Sequence, residues 1–200
     1  MVAIGPKTKK IQIKIGSLFT IQGTSEQEHC VFNAVSSNSP AYMTTHQWIA
    51  YLHYDTGVVP GNILAMDDGR KMLVVSTSPD IVGDAVAEYE GGVIETNKTL
   101  DIKRASRTQH ATTKEWTTAW AAVVSGVDAV AIDSGAGRVL AEKEFGMMVE
   151  HDLTLFIASE HGVKVKDRII IGTSNYEVIE KSEFQTDGVN LCLLKRDGRE

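Results

Sequence analysis

Apolar and polar residues alternate over short runs along most of this chain, and apolar residues seldom keep a helical spacing for long. Ile11, Ile13 and Ile15 alternate with Gln12 and Lys14, the period of a half-buried strand. The run at 18–21 extends that strand before Gly23, and residues 24–29 read as a polar loop. Further strands are predicted at 31–35 and at 45–54, the latter carrying Trp48, Tyr51 and Tyr54. Residues 62–66 and 71–75 form a hairpin across Asp67-Asp68-Gly69, since Asp-Gly between apolar runs favours a tight turn. Strand pattern returns at 93–94, 99–102, 127–132 and 149–158. The stretch 162–196 closes the chain as a meander. In it two Val/Ile-rich runs flank Gly172-Thr173-Ser174-Asn175, and a third follows Asp187-Gly188.

Two segments read as short helices. Over 79–90, Ser78 can serve as N-cap, Pro79 suits the first helical position and Asp80 favours the dipole. Ile81, Val82, Ala85, Val86 and Tyr89 would make its apolar face, and Gly91-Gly92 stop it. The second helix is expected over 137–145, capped by Asp133-Ser134. Residues 116–124 fit either state, because Trp116, Trp120 and Val124 keep helical spacing while Thr117-Thr118 favour strand.

A weak internal repeat runs through this pattern. Shifted by 105 residues, Gly57 falls on Gly162, Val58 on Val163, Asn62 on Asp167, Leu64 on Ile169, Met66 on Ile171 and Leu73 on Val178. Upstream, His46 meets His151, Tyr51 meets Phe156 and Leu52 meets Ile157. Past residue 78 the shift becomes 92 and places Ile102-Lys103-Arg104 on Leu194-Lys195-Arg196. The reading is therefore mainly β, with two small antiparallel β-barrel or sandwich domains, one or two short helices and an internal duplication. Residues 1–10 are expected to be a flexible arm and 11–104 the first barrel, with the helix 79–90 inserted. Residues 105–114, almost without apolar content, are read as a linker, and 115–200 as the second barrel.

The chain is 42% hydrophobic, enough for packed cores, and carries a net charge of −6 at pH 7. Neither half holds the basic surplus of a protein that grips nucleic acid tightly. Lys7, Lys9, Lys10 and Lys14 make the one local basic cluster. Cys30 and Cys192 sit among apolar residues and read as buried small hydrophobes in a reducing setting. No secretory leader and no run of about 20 apolar residues is expected.

Candidate chemistry is sparse. The histidines His29, His46, His53, His110, His151 and His161 form no His-Glu-x-x-His motif, and the cysteines form no Cys-x-x-Cys pair. His151-Asp152 and Glu160-His161 place carboxylates beside imidazoles, but as strand and turn neighbours. Gly135-Ala136-Gly137 after a strand has the shape of a pyrophosphate loop, yet Leu140 replaces the third glycine. Asp67-Asp68 and Asp80/Asp84 are better explained by a turn and a helix start than as paired acids. The expectation is no catalytic residue, no cofactor site, no metal site and no enzyme activity.

Residues 115–196 carry an ordered set of features. Trp116 and Trp120 lie in a strand-like run, Gly137-Arg138 opens a short helix, and Val149-Glu150-His151-Asp152-Leu153 forms a strand. Gly162-Val163-Lys164-Val165-Lys166-Asp167-Arg168-Ile169 then leads through a turn to Tyr176-Glu177-Val178-Ile179, and an apolar strand ends on Lys195-Arg196. In this order the segment resembles the bacteriophage head–tail joining proteins of the head-closure, or stopper, kind. It departs from their pattern at Gly172-Thr173-Ser174-Asn175, where a glycine followed by a basic residue is usual. The resemblance implies a virion protein, made in the host cytoplasm, that forms a homo-oligomeric ring in the phage neck. Such a ring would join portal and adaptor to the tail and help retain packaged DNA, which passes through the lumen without specific binding. The polar segments 36–40 and 182–188 and the arm 1–10 would then meet neighbouring subunits. The alternative from a different class is an OB-like barrel that binds nucleic acid or saccharide, with Trp48, Tyr51 and Tyr54 as the stacking candidates.

Overall fold

The computed structural model describes residues 4–34, 47–110, 112–114, 116–134, 150–183 and 187–199. Among the described residues the chain forms an α-helix, α1 (Gly5–Ile15), a short 3-10 turn (Ser159–His161) and twelve strands. In chain order these are β1 (Ser17–Ile21), β2 (Gln27–Ala34), β3 (Gln47–Leu52), β4 (Ile63–Met66), β5 (Lys71–Val82) and β6 (Ala85–Glu95), then β7 (Lys98–Gln109), β8 (Trp116–Asp133), β9 (Leu153–Ala158), β10 (Arg168–Ile171), β11 (Ser174–Glu183) and β12 (Val189–Arg196). Two compact units result. The first takes in Met1–Thr96 and Glu183–Val189, the second Asn97–Ser182 and Asn190–Glu200.

Each set of six strands closes into an antiparallel barrel, in the order β1-β2-β3-β6-β5-β4 for the first and β10-β11-β12-β9-β8-β7 for the second. Renumbering β7–β12 as a second β1–β6 makes the two cyclic orders identical. Each barrel is two three-stranded meanders joined along both edges. Closure leaves no edge at the barrel wall, where open edges would template aggregation. The first core gathers Phe19, Ile21, Cys30, Ala50, Leu52, Val58, Leu64, Met66, Met72, Val74 and Val93. The second gathers Leu100, Ile102, Val127, Leu155, Ile157, Val163, Ile169, Val178, Cys192 and Leu194, among others.

The 105-residue shift holds at the level of side-chain direction. Ala50 and Leu52 point into the first core as Leu155 and Ile157 do into the second. Val58 matches Val163, Leu64 matches Ile169, and Ile171 packs on the second core where Met66 belongs to the first. The backbone repeats too. Asn62 Oδ1 accepts from the Val59 N–H at 2.9 Å, and Asp167 Oδ2 accepts from the Lys164 N–H at 2.8 Å. One residue earlier, Gly61 (φ 93°) and Lys166 (φ 74°) both take a left-handed backbone. Their N–H groups donate to the Val74 and Val178 carbonyls at 2.8 and 2.7 Å.

Two of the expected equivalences need correction. Val178 corresponds to Val74, not to Leu73. The β4–β5 loop pairs Met66 with Arg70 across three residues, whereas Ile171 pairs with Ser174 across two. That one extra residue shifts the register and would reverse inside and outside if Leu73 kept its place. The Ile102-Lys103-Arg104 match to the last strand also fails. Ile102 lies on β7 opposite Ile169, and its counterpart is Ile21, opposite Leu64 on β1.

The domain boundaries move accordingly. The division falls at Thr96/Asn97, so β7 opens the second barrel and 105–114 is no linker. Through Gln109, opposite Trp116, that segment is strand; it lacks apolar residues because both of its faces meet solvent. Residues 116–124 are accordingly strand. The expected helix at 79–90 is the tip of a β5–β6 hairpin. Val82 pairs with Ala85 and Gly83 takes φ 67°, the geometry of a two-residue loop with glycine first. Pro79 is tolerated because β4 reaches only as far as Leu73 along that edge.

Residues 5–15, expected as arm and strand, form α1 instead. Pro6 occupies its first turn and the Gly16 N–H closes it on the Gln12 carbonyl at 2.7 Å. Tertiary contacts override the short alternation of isoleucines. Gln12 is buried and donates to the Leu52 carbonyl at 3.2 Å. Gly5 lies so close to Tyr54 that an added Cβ would sit 2.7 Å from its Cγ. The helix expected at 137–145 and the loop at 36–40 lie outside the described residues.

The Gly61/Lys166 pair makes the duplication testable. Lys166→Gly should raise stability by about 0.5–1 kcal/mol, since a non-glycine residue is strained there. Gly61→Ala should lower it by about 1–2 kcal/mol or more, because its Cβ would also meet the Gly188 carbonyl. Urea midpoints of the two variants check both signs.

Candidate functional site

The residues singled out by sequence do not converge. His110 is exposed, and its Nδ1 accepts from the Thr113 N–H at 3.2 Å. His151 is buried and bonds the Thr154 hydroxyl at 3.1 Å, while the neighbouring Asp152 accepts from the Arg196 N–H at 2.6 Å. The two side chains are thus engaged with different partners. Glu160 and His161 stand 3.9 Å apart on the 3-10 turn, and burial pushes the imidazole below its ordinary pKa. Asp68 closes its turn on the Arg70 N–H and guanidinium, and Asp67 is exposed beside it. His46 and Gly135-Ala136-Gly137 lie outside the described residues. Cys30 and Cys192 are free and buried, and burial pushes each thiol up to about 12. Among the described residues no group of three or more His, Cys, Asp or Glu is placed to hold a metal ion.

One polar cluster lies on the first barrel beside α1. Glu28 accepts from the Thr56 hydroxyl at 2.7 Å and from the Gly57 N–H at 3.2 Å. His53 is buried with Nδ1 3.9 Å from Glu28, and burial lowers its pKa. Thr56 Oγ1 also accepts from the Val58 N–H at 3.2 Å. Its hydroxyl is therefore committed to closing a turn. The cluster fastens the β3–β4 connection, and Lys9 on α1 joins it through Asp55 at 2.8 Å.

A second cluster, which sequence reading missed, fixes the root of the β7–β8 ribbon. Trp120 receives the Arg168 guanidinium 3.8 Å from its ring centroid and that of Arg199 at 5.0 Å. Asp197 joins the two cations, accepting from Arg168 Nε at 2.8 Å and from Arg199 Nε and Nη2 at 2.8 and 2.9 Å. Arg168 also donates to the Arg199 carbonyl, and Arg199 pairs with Glu177 at 3.0 Å. The Arg199 hydrogen bond, then that of Arg168, hold the Asp197 carboxyl well below the usual carboxylate range. Beside it, Arg104 forks onto Asp167 at 2.8 and 2.7 Å and reaches the Gly162 carbonyl. These residues are scattered over 104–199, so no local motif marks them.

The three proposed stacking aromatics form no platform. Trp48 packs against the first core, Tyr51 alternates to the other face of β3, and Tyr54 lies under α1 with Lys9 5.9 Å from its ring centroid. What the structure leaves open to a partner is a set of projecting elements. The β7–β8 ribbon runs past its last pairing with β10, at Lys103, out to Gln109 and Trp116. The β5–β6 ribbon runs past its last pairing with β3, at Tyr89, to the Gly83 turn. No protein-family model, curated protein or solved structure matches the chain.

Asp197→Asn should cost roughly 3 kcal/mol at pH 7, because it leaves two cations without their shared anion. The sign with pH follows from the depressed carboxyl. Its stabilising contribution is complete above the ordinary carboxylate pKa and is lost as pH falls through the lower folded value. Urea midpoints of wild type and variant should therefore converge on acidification below about pH 4.

Proposed function

We propose that this chain is a structural subunit of a phage neck ring, joining portal and adaptor to the tail and helping to retain packaged DNA. The observation that supports it is the pair of hairpins that outrun their barrels. Thr117, Thr118 and Ala119 are exposed on β8, with Ser106, Arg107 and Thr108 exposed opposite them on β7. Trp116, at the far end of the ribbon, is 65% exposed. A two-stranded ribbon without a packed face is marginal in water by itself. Such an arm gains stability by adding strands or apolar side chains to a neighbour. Two closed barrels supply rigid bodies for the arms to project from, and Trp120 anchors one of them. Family membership comes to this reading only through the resemblance of 115–196. An OB-like stacking surface is disfavoured, because Trp48, Tyr51 and Tyr54 point three ways.

The reading predicts particles well above the 21.8 kDa chain, ring-shaped in negative stain. It also predicts that replacing residues 106–119 by Asn-Gly, a two-residue loop between Ala105 and Trp120, lowers or abolishes assembly. Because the described residues of that segment are exposed, the thermal midpoint of the barrels should change little. A monomer at every concentration by light scattering, or full-size rings without the arm, would overturn the proposal.

A further inference from the structure

The first unit carries two exposed patches of opposite character. Ile4 at the N-cap of α1 and Ile11 and Ile15 within it recur at spacings of seven and four and so share one flank of the helix. They are 40%, 56% and 66% exposed. Lys7 and Lys14 lie along that flank, and residues 4–15 hold four lysines and no acid. Helices of soluble proteins turn such a stripe inward. Here the inward positions are Gly5 and Gln12, so the isoleucines are left without a partner in their own barrel.

The second patch is the β5–β6 tip. Residues 76–90 contain Asp80, Asp84, Glu88 and Glu90 and no Lys or Arg. Strand alternation puts Asp80 and Val82 on one face, with Ala85 and Glu88 opposite them. Val82 is 45% exposed, and Asp80, Asp84 and Ala85 are exposed as well. Glu88 is held above its ordinary pKa by burial and by the carboxylates of Asp80 and Glu90. The neutral amide of Gln12 on α1 of the same chain reaches Glu88, its Nε2 donating at 3.0 Å.

We infer that α1 of one chain docks on the β5–β6 tip of a second copy, its isoleucine flank on Val82 and Ala85 and its lysines on Asp80 and Asp84. An apolar strip edged by Lys7 and Lys14 matches an apolar tip edged by Asp80 and Asp84. Burying both would neutralise the carboxylate crowding and cover the isoleucines. A lipid surface is the competing occupant of a basic amphipathic helix, but it would leave the acidic tip unmatched. This inference rests on the self-assembly reading above and names the contact that makes it.

Charge reversal tests it. Lys7→Glu with Lys14→Glu should weaken self-association at least about tenfold, read as native mass by light scattering over a dilution series. Asp80→Lys with Asp84→Lys should do the same, and the fourfold variant should restore assembly. Circular dichroism checks that each variant remains folded. Lys9 is left alone because it is tied to Asp55. Assembly unchanged by either reversal, or not restored by their combination in folded protein, overturns the contact while leaving the ring reading intact. Rescue in particles that stop at two chains supports the contact and refutes the ring. A wild type that stays monomeric refutes both. Wild type that pellets with phosphatidylserine vesicles, loses this on lysine reversal and keeps its native mass makes α1 a membrane element and overturns the inference.

Discussion

Everything in this fold depends on strand parity. In a closed barrel each strand has one face in the core, and a one-residue slip moves its whole apolar set to the outside. The two barrels obey this constraint with different turns. Between β4 and β5 the loop has three residues, Asp67 to Gly69; between β10 and β11 it has two, Gly172 and Thr173. The extra residue is absorbed by sliding the pairing, so that Val74 and Val178 both face inward. The fixed point is upstream, where Gly61 and Lys166 adopt the same left-handed backbone and donate to those valines. A glycine in one copy and a lysine in the other hold one geometry, so the hydrogen bond to the core strand outweighs the strain at Lys166.

That constraint explains how much of the fold was legible. Where a strand has one buried face, as in β3, β10 and β11, the period of two is visible, and the repeat is found with its register almost right. Where both faces are solvated, as in 105–109, the same extended backbone carries no apolar signal and resembles a linker. The hairpin at 79–90 misleads in the opposite way. Its apolar spacing suits a helix, and only Gly83 with φ 67° and the pairing of Val82 to Ala85 decide the matter. Residues 11–15 have strand alternation, yet five residues are too few to resist Gln12 and Gly5 docking α1 onto the barrel. Local pattern gave way wherever a long-range contact fixed the backbone.

Site legibility follows similar logic. Motif-based searching finds groups close in sequence, and here these are the pairs that point apart, such as His151 with Asp152. The cluster that matters for the arm draws Trp120, Arg168, Glu177, Asp197 and Arg199 from three strands and the tail that follows β12. Each residue taken singly is unremarkable on its own strand. Only the barrel topology, which brings β10 beside both β7 and β11, makes them one group. Its chemistry is mechanical. An aromatic ring held by two guanidiniums, themselves fixed by one carboxylate, stiffens the base of a ribbon that has little internal stability.

The net charge of −6 hides a segregation of charge within the first unit. Averaged over the chain it suggests a uniformly acidic protein, repelled by phosphates and by its own copies. The structure instead segregates charge within the first unit, with four lysines on α1 and, over residues 76–90 of the β5–β6 ribbon, four carboxylates and no Lys or Arg. Segregated opposite patches turn general self-repulsion into an orientation-dependent attraction. That attraction is effective within roughly one Debye length, about 8 Å at physiological salt. The apolar residues set in each patch act only at contact and are insensitive to screening. Salt should therefore slow the encounter of two copies more than it loosens a contact already formed, a separation that a purely ionic interface would not have.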